Sequence, residues 1–151
     1  MKLEILYIGS FLLMSFMFLS CETSDDEMEN TGISLTEIKA NAESGTWTVS
    51  LFEEEGIDET SDFTGFGFTF NSGGVLSAVD GDNSITGAWS ITSDDDTNED
   101  AIEFNIFFAS PLNFAELSED WYIVSYSDTR IELKDIGEGD DSTDRLIFEK
   151  L

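Results

Sequence analysis

None of the 151 residues is His, 33 are Asp or Glu and one is Cys, so any chemistry here must begin from carboxylates, hydroxyls, aromatic rings and a single thiol. Without imidazole there is no Ser/His or Cys/His pair and no His-built zinc site. Carboxylates offer two other chemistries. Asp80-x-Asp82-x-Ser84 places oxygen ligands at alternate positions, as the start of a calcium loop does, and Asp94-Asp95-Asp96 and Asp140-Asp141 with Asp144 add more. A hard cation wants six to eight oxygens with a bidentate carboxylate at the right reach. Gly81 falls second in that loop rather than sixth, and Ile91 stands where a Glu would close it. A calcium-binding extracellular module and ordinary solvated turns both fit, and no residue is assigned as a metal ligand. Glycoside hydrolysis needs two carboxyls set apart by environment, and no pair is marked by spacing or apolar flanks. The expectation is a protein that is not an enzyme and needs no cofactor. Tyr122, Tyr126 and Phe107 are candidates for docking a glycan or a protein.

Six Lys or Arg against 33 acids give a net charge of −27. Nucleic acid is thereby excluded as a partner, because its phosphates need a basic patch. A composition 40% hydrophobic and 13% aromatic is too apolar for disorder. One folded domain, expected to be a monomer, fits best. Its charge reads as a solvated skin rather than as an active site.

These side chains sit on three stretches of chain. Residues 1–20 are an export signal: Ile5 to Leu19 is apolar apart from Gly9, Ser10 and Ser15, long enough for a secretory core and short for a membrane span. Cys21 follows, the sole cysteine, so no disulfide can form within the chain. Residues 21–33 are a self-repelling acidic tether with little to bury. Residues 34–151 form the domain. Ser34-Leu35-Thr36-Glu37 has the form of a capping box, predicting a helix over 35–42 with Leu35, Ile38 and Ala42 on one face. From Gly45 the period becomes two. Strands are predicted around Trp47–Leu51, Phe66–Phe70, Val75–Val79, Ile85–Ile91, Ile102–Phe108, Trp121–Tyr126, Arg130–Asp135 and Arg145–Lys150. The connections are short and no long helix crosses between strands, so the sheet is antiparallel and meandering. Eight such strands close into an up-and-down barrel, which removes their edges. A two-layer β-sandwich is the alternative. Trp47, Phe66, Phe68, Phe70, Trp89, Phe104, Phe108 and Trp121 are the inward candidates, either lining a pocket for a small hydrophobic ligand or simply filling the core.

Phe18-Leu19-Ser20-Cys21 resembles the lipobox of bacterial lipoproteins, in which the thiol is acylated and becomes the first residue of the mature protein. Ser24-Asp25-Asp26-Glu27 resembles the surface-export signal of Bacteroidota lipoproteins; a generic charged tether is the other reading. Gly45-Thr46-Trp47 is similar to the Gly-x-Trp signature of lipocalins. With Phe66 to Phe70, Gly73-Gly74, Gly87-Ala88-Trp89, Leu117, Trp121 to Ser125, Ile131-Glu132-Leu133 and Leu146-Ile147-Phe148, the pattern resembles lipocalin-like lipoproteins of Bacteroidota from Gly45 to Leu151. That resemblance implies an all-β lipocalin-like barrel behind a short helix, and a small hydrophobic ligand. It also implies membrane attachment through acylated (palmitoylated) Cys21 at the outer membrane, facing the cell surface or else the periplasm. It pairs Trp47 with an Arg that closes the barrel base: Arg145, with Arg130 in reserve.

Overall fold

The structure, a computed structural model, describes residues 34–94, 101–136 and 143–151. The signal, Cys21 and the tether lie outside the described residues, as do Asp95, Asp96, Asp140 and Asp141. Helix α1 (Leu35–Ala42) has the predicted bounds, with Ile38 and Ala42 fully buried. Its capping box does not form. Ser34 is extended and its carbonyl accepts the first helical bond, from Ile38 N at 3.0 Å, but its hydroxyl makes no cap.

Nine strands follow: β1 (Thr46–Glu54), β2 (Ile57–Asp58), β3 (Gly67–Asn71), β4 (Val75–Asp80), β5 (Asn83–Asp94), β6 (Ala101–Phe107), β7 (Asp120–Ser127), β8 (Arg130–Ile136) and β9 (Thr143–Lys150). All pair antiparallel. β1 and β3 through β9 run in sequence order, and β9 returns to β1 from Trp47↔Lys150 to Glu53↔Arg145. This is the closed eight-stranded up-and-down barrel expected from the period-two pattern, not the sandwich. The added strand β2 folds back on β1 through Glu53↔Asp58 and Glu54↔Ile57. A two-residue strand has no period to read.

A bulge changes which residues of β1 face inward. Pairing to β9 shifts between Val49 and Leu51, so Phe52 rather than Leu51 enters the core. The core contains no buried polar or charged residue among those described. Three segments plug the barrel ends. α1 covers the end where β1 begins. A 3-10 turn (Thr60–Phe63) and the single-turn helix α2 (Leu112–Ala115) cover the other with Phe63, Phe114 and Leu117. The turn is stitched to β1 by Phe52 N to Thr60 Oγ1 at 2.9 Å and Glu59 N to Phe52 O at 2.9 Å.

Candidate functional site

Seven of the eight inward candidates meet as a continuous stack of rings, Trp121 joining through Phe52 and Phe63, while Trp47 packs under Lys150. Trp47, Phe68, Phe70, Trp89, Phe104, Phe108 and Trp121 are all at most 4% exposed, while Phe66 is half-buried at the α2 end. Phe70 lies at the centre, with ring centroids 5.2 Å from Trp89, 5.1 Å from Phe104 and 5.4 Å from Phe148. Phe148 reaches Phe68 at 5.5 Å, and Phe68 stacks on Phe114 at 5.9 Å. Phe114 in turn touches Phe108 at 5.2 Å, Phe66 at 5.0 Å and Phe63 at 5.3 Å. Rings from non-adjacent strands, β3 with β5, β6 and β9, are therefore in contact across the interior, at the separations that aromatic pairs prefer. Phe52, Phe63 and Phe114 belong to this stack although period-two reasoning missed them. One follows a bulge and two lie in connections, where only their size and apolarity gave a signal.

Each Trp also latches a connection. Trp47 Nε1 donates to Ala42 O at 2.9 Å, Trp89 Nε1 to Asn71 O at 3.0 Å and Trp121 Nε1 to Leu117 O at 3.1 Å. The cation over Trp47 is Lys150, with Nζ 5.2 Å from the ring centroid. Lys150 Nζ also donates to Ser44 Oγ at 2.8 Å and Asp128 O at 3.1 Å, tying the α1–β1 turn to the β7–β8 turn. Arg145, the expected partner of Trp47, instead stands opposite Glu53 at the far end of β9, 44% exposed and bonded to Glu132 at 3.2 Å. Arg130 bonds Glu149 at 2.8 Å and Glu132 at 3.4 Å. The antiparallel register decides this: β1 begins where β9 ends, so the residue beside Trp47 must come from the last turn of the chain rather than the start of β9.

Carboxylates gather where α2 and the 3-10 turn cap the barrel. Glu54, Glu59 and Glu116 each bring an oxygen within 4.8 Å of the others. Partial burial raises the Glu54 carboxyl above its ordinary value, and the charges of Glu116, Glu59, Asp144 and Glu55 raise it further. Glu59 is raised by desolvation and then by Glu116 and Asp62. Glu119 is raised by burial and then by Asp135, Asp120 and Asp144. This mouth is thus a connected field of like charge. Its oxygens are of the type a hard cation takes, and only Asp144 among them belongs to the loops singled out in the sequence. Asp80, Asp82 and Ser84 sit instead on the tight β4–β5 turn, Asp80 opposite Asn83, with Gly81 at φ 56°.

The three candidate docking aromatics do not form one patch. Phe107 is 59% exposed on β6. Tyr122 lies opposite Glu103 on β7. Beyond the β7 bulge, Tyr126 packs against the core, and its hydroxyl donates to Glu37 at 3.4 Å. Open hollows lie on the surface. One of about 450 Å³ runs along β5, β6 and the start of β7 beside Phe107, and one of about 440 Å³ lies between α1 and the β7–β8 turn. No family model, curated protein or solved structure matches this chain.

Proposed function

We propose that this chain is an exported, lipid-anchored, lipocalin-like barrel that works through its outer wall and loops, as a non-enzymatic interaction module rather than a carrier of an enclosed ligand. The observation that carries the reading is the ring stack that crosses the interior from β3 to β5 and β6 through Phe70, Trp89 and Phe104, and runs on through Phe148 and Phe68 to Phe114 under the α2 cap. A barrel of eight strands either fills with side chains or holds one small molecule, and this stack occupies the axis. The apolar run before Cys21 supports export and acylation at that thiol. The Ser24–Glu27 cluster supports placement on the outer face of the outer membrane. Dense surface acid supports a domain that stays solvated and off anionic membranes.

Two measurements on the full chain test this. Incorporation of a clickable palmitate analogue should be abolished by Cys21→Ser; persistence in that variant would overturn the anchor. A thermal-shift panel of fatty acids and hydrophobic pigments should leave the unfolding temperature unmoved. An enclosed ligand at a hundred times its Kd would add about 2.7 kcal/mol, and such a saturable shift would overturn the filled-barrel reading.

A further inference from the structure

The outer wall of β5 and β6 departs from the polar alternation of the barrel's exterior. Val75, Ala88 and Phe107 form one cross-strand row, Val75 opposite Ala88 and Ala88 opposite Phe107. Val75 is 45% and Phe107 59% exposed. This row borders the hollow of about 450 Å³, a size typical of ligand sites. The hollow exists because β6 and β7 part early. Their ladder covers only Glu103–Asn105 against Asp120–Tyr122, followed by one bond from Ile106 N to Glu119 O at 3.1 Å. On the other side, Gly87 lets the end of β6 press onto β5. A Cβ there would overlap Phe107 O and stand 2.6 Å from Phe108 Cδ1.

Its polar groups point to one sign of partner. The Asn105 amide donates to Ser90 Oγ at 3.1 Å and Thr92 Oγ1 at 3.0 Å. Ser118 Oγ accepts from Phe108 N at 2.8 Å and lies 3.2 Å from Phe108 O. Apart from the Ser90 hydroxyl proton, what these side chains still offer is acceptors: Asn105 Oδ1 and the carboxylates of Glu119 and Asp120. No Lys or Arg lines the hollow. The ion pairs among the described residues join Arg130 and Arg145 to Glu132 and Glu149, and none reaches Glu119 or Asp120. An exposed ring beside uncompensated carboxylates suits a cation with an apolar flank, which can lie over the ring and donate to the carboxylates.

We propose that this hollow docks a Lys- or Arg-bearing apolar segment of a partner protein. The inference rests on the reading that the protein works through its surface. A neutral glycan could stack on Phe107 but would leave both carboxylates unpaired.

The test is an NMR titration of the detergent-solubilised full chain with acetyl-Leu-Arg-Leu-amide, and with the same peptide carrying citrulline in place of Arg. The Arg peptide should move amides of Ser90, Asn105, Phe107 and Glu119, and binding should weaken with added salt. Phe107→Ala and Glu119→Gln should each reduce affinity at least about fivefold, within the energy of one cation–π contact or charged hydrogen bond. Asp82→Asn, in the distant β4–β5 turn, should not. Shifts spread evenly over the acidic surface and indifferent to Phe107→Ala would overturn the proposal. So would equal binding of the citrulline peptide, or preference for a neutral oligosaccharide over the Arg peptide. Failure of the broader surface reading looks different: palmitate would then move the interior resonances of Phe70 and Phe104 whatever the peptides do.

Discussion

Phe70→Ala discriminates most sharply between a filled and a hollow barrel. The side chain is 1% exposed and its ring touches Trp89, Phe104 and Phe148, so no single neighbour can collapse into the space it leaves. In a close-packed core, loss of a Phe costs transfer energy plus a cavity term, about 3–5 kcal/mol. Were Phe70 only part of a cavity wall, the cost would be transfer alone, about 1.5–3 kcal/mol. A domain of this size is expected to have about 5–15 kcal/mol in total, so the variant should stay folded while losing a large share of its stability. At about 4 °C per kcal/mol, its unfolding temperature should fall by about 12–20 °C. Urea unfolding gives the free energy directly, with an unchanged slope if the denatured state is the same. A second arm separates packing from general damage: benzene should bind the new apolar cavity and restore part of the stability of Phe70→Ala, without stabilising the parent. A loss below about 3 kcal/mol, or benzene stabilising the parent equally, would refute the argument that the rings fill the interior.

Lys150→Met removes the charge over Trp47 and the bonds to Ser44 and Asp128, so it should cost about 1–2 kcal/mol and speed amide exchange in α1. Arg145→Met breaks one exposed pair with Glu132 and should cost about 0–1 kcal/mol without touching α1 exchange; the reverse order would restore Arg145 as the closing residue. Glu54→Gln should raise stability at pH 7 and lose that advantage near pH 4. A carboxyl raised in the folded state contributes stability that is fully present below its unfolded value near 4.5 and is lost as pH rises through the folded value. Gln mimics the protonated form at every pH, and because Glu54 is only partly buried and screened by solvent the gain is about 0.2–1 kcal/mol. Urea titrations at the two pH values check it, and an advantage that grows toward acid would contradict the sign.

Residues whose neighbours lie two positions away were legible; residues placed by closure were not. The alternation Phe66-Phe68-Phe70 or Ile102-Phe104-Ile106-Phe108 needs only local pleating to declare an inward face, and those strands and α1 appear where expected. Leu51 and Phe52 exchanged roles because a bulge inserts a residue without changing composition. Lys150 could have been found by counting β9 back along β1 from Trp47, but an Arg suggested by likeness drew attention to the wrong end of the strand. Glu54, Glu59 and Glu116 come together only when α2 and the 3-10 turn cap the same mouth. No spacing in the chain announces that meeting, and of the acidic loops that spacing did favour only Asp144 reaches it among the described residues.

The ring stack and the closure of the barrel ends are one construction. A buried indole must satisfy its N–H, and all three do so on backbone carbonyls at the ends of elements or in the connections: Ala42 at the end of α1, Asn71 at the end of β3 and Leu117 after α2. Opening room for a cargo would mean turning Trp89 or Trp121 outward, and each such rotation would also release the segment its indole holds. Leaving the freed N–H or carbonyl buried would cost about 1–3 kcal/mol beyond the lost packing. Filling and latching therefore reinforce each other and oppose an internal binding role. On the proposed surface reading, recognition falls to groups the core does not use: the acceptor-rich hollow beside Phe107, where β6 and β7 part.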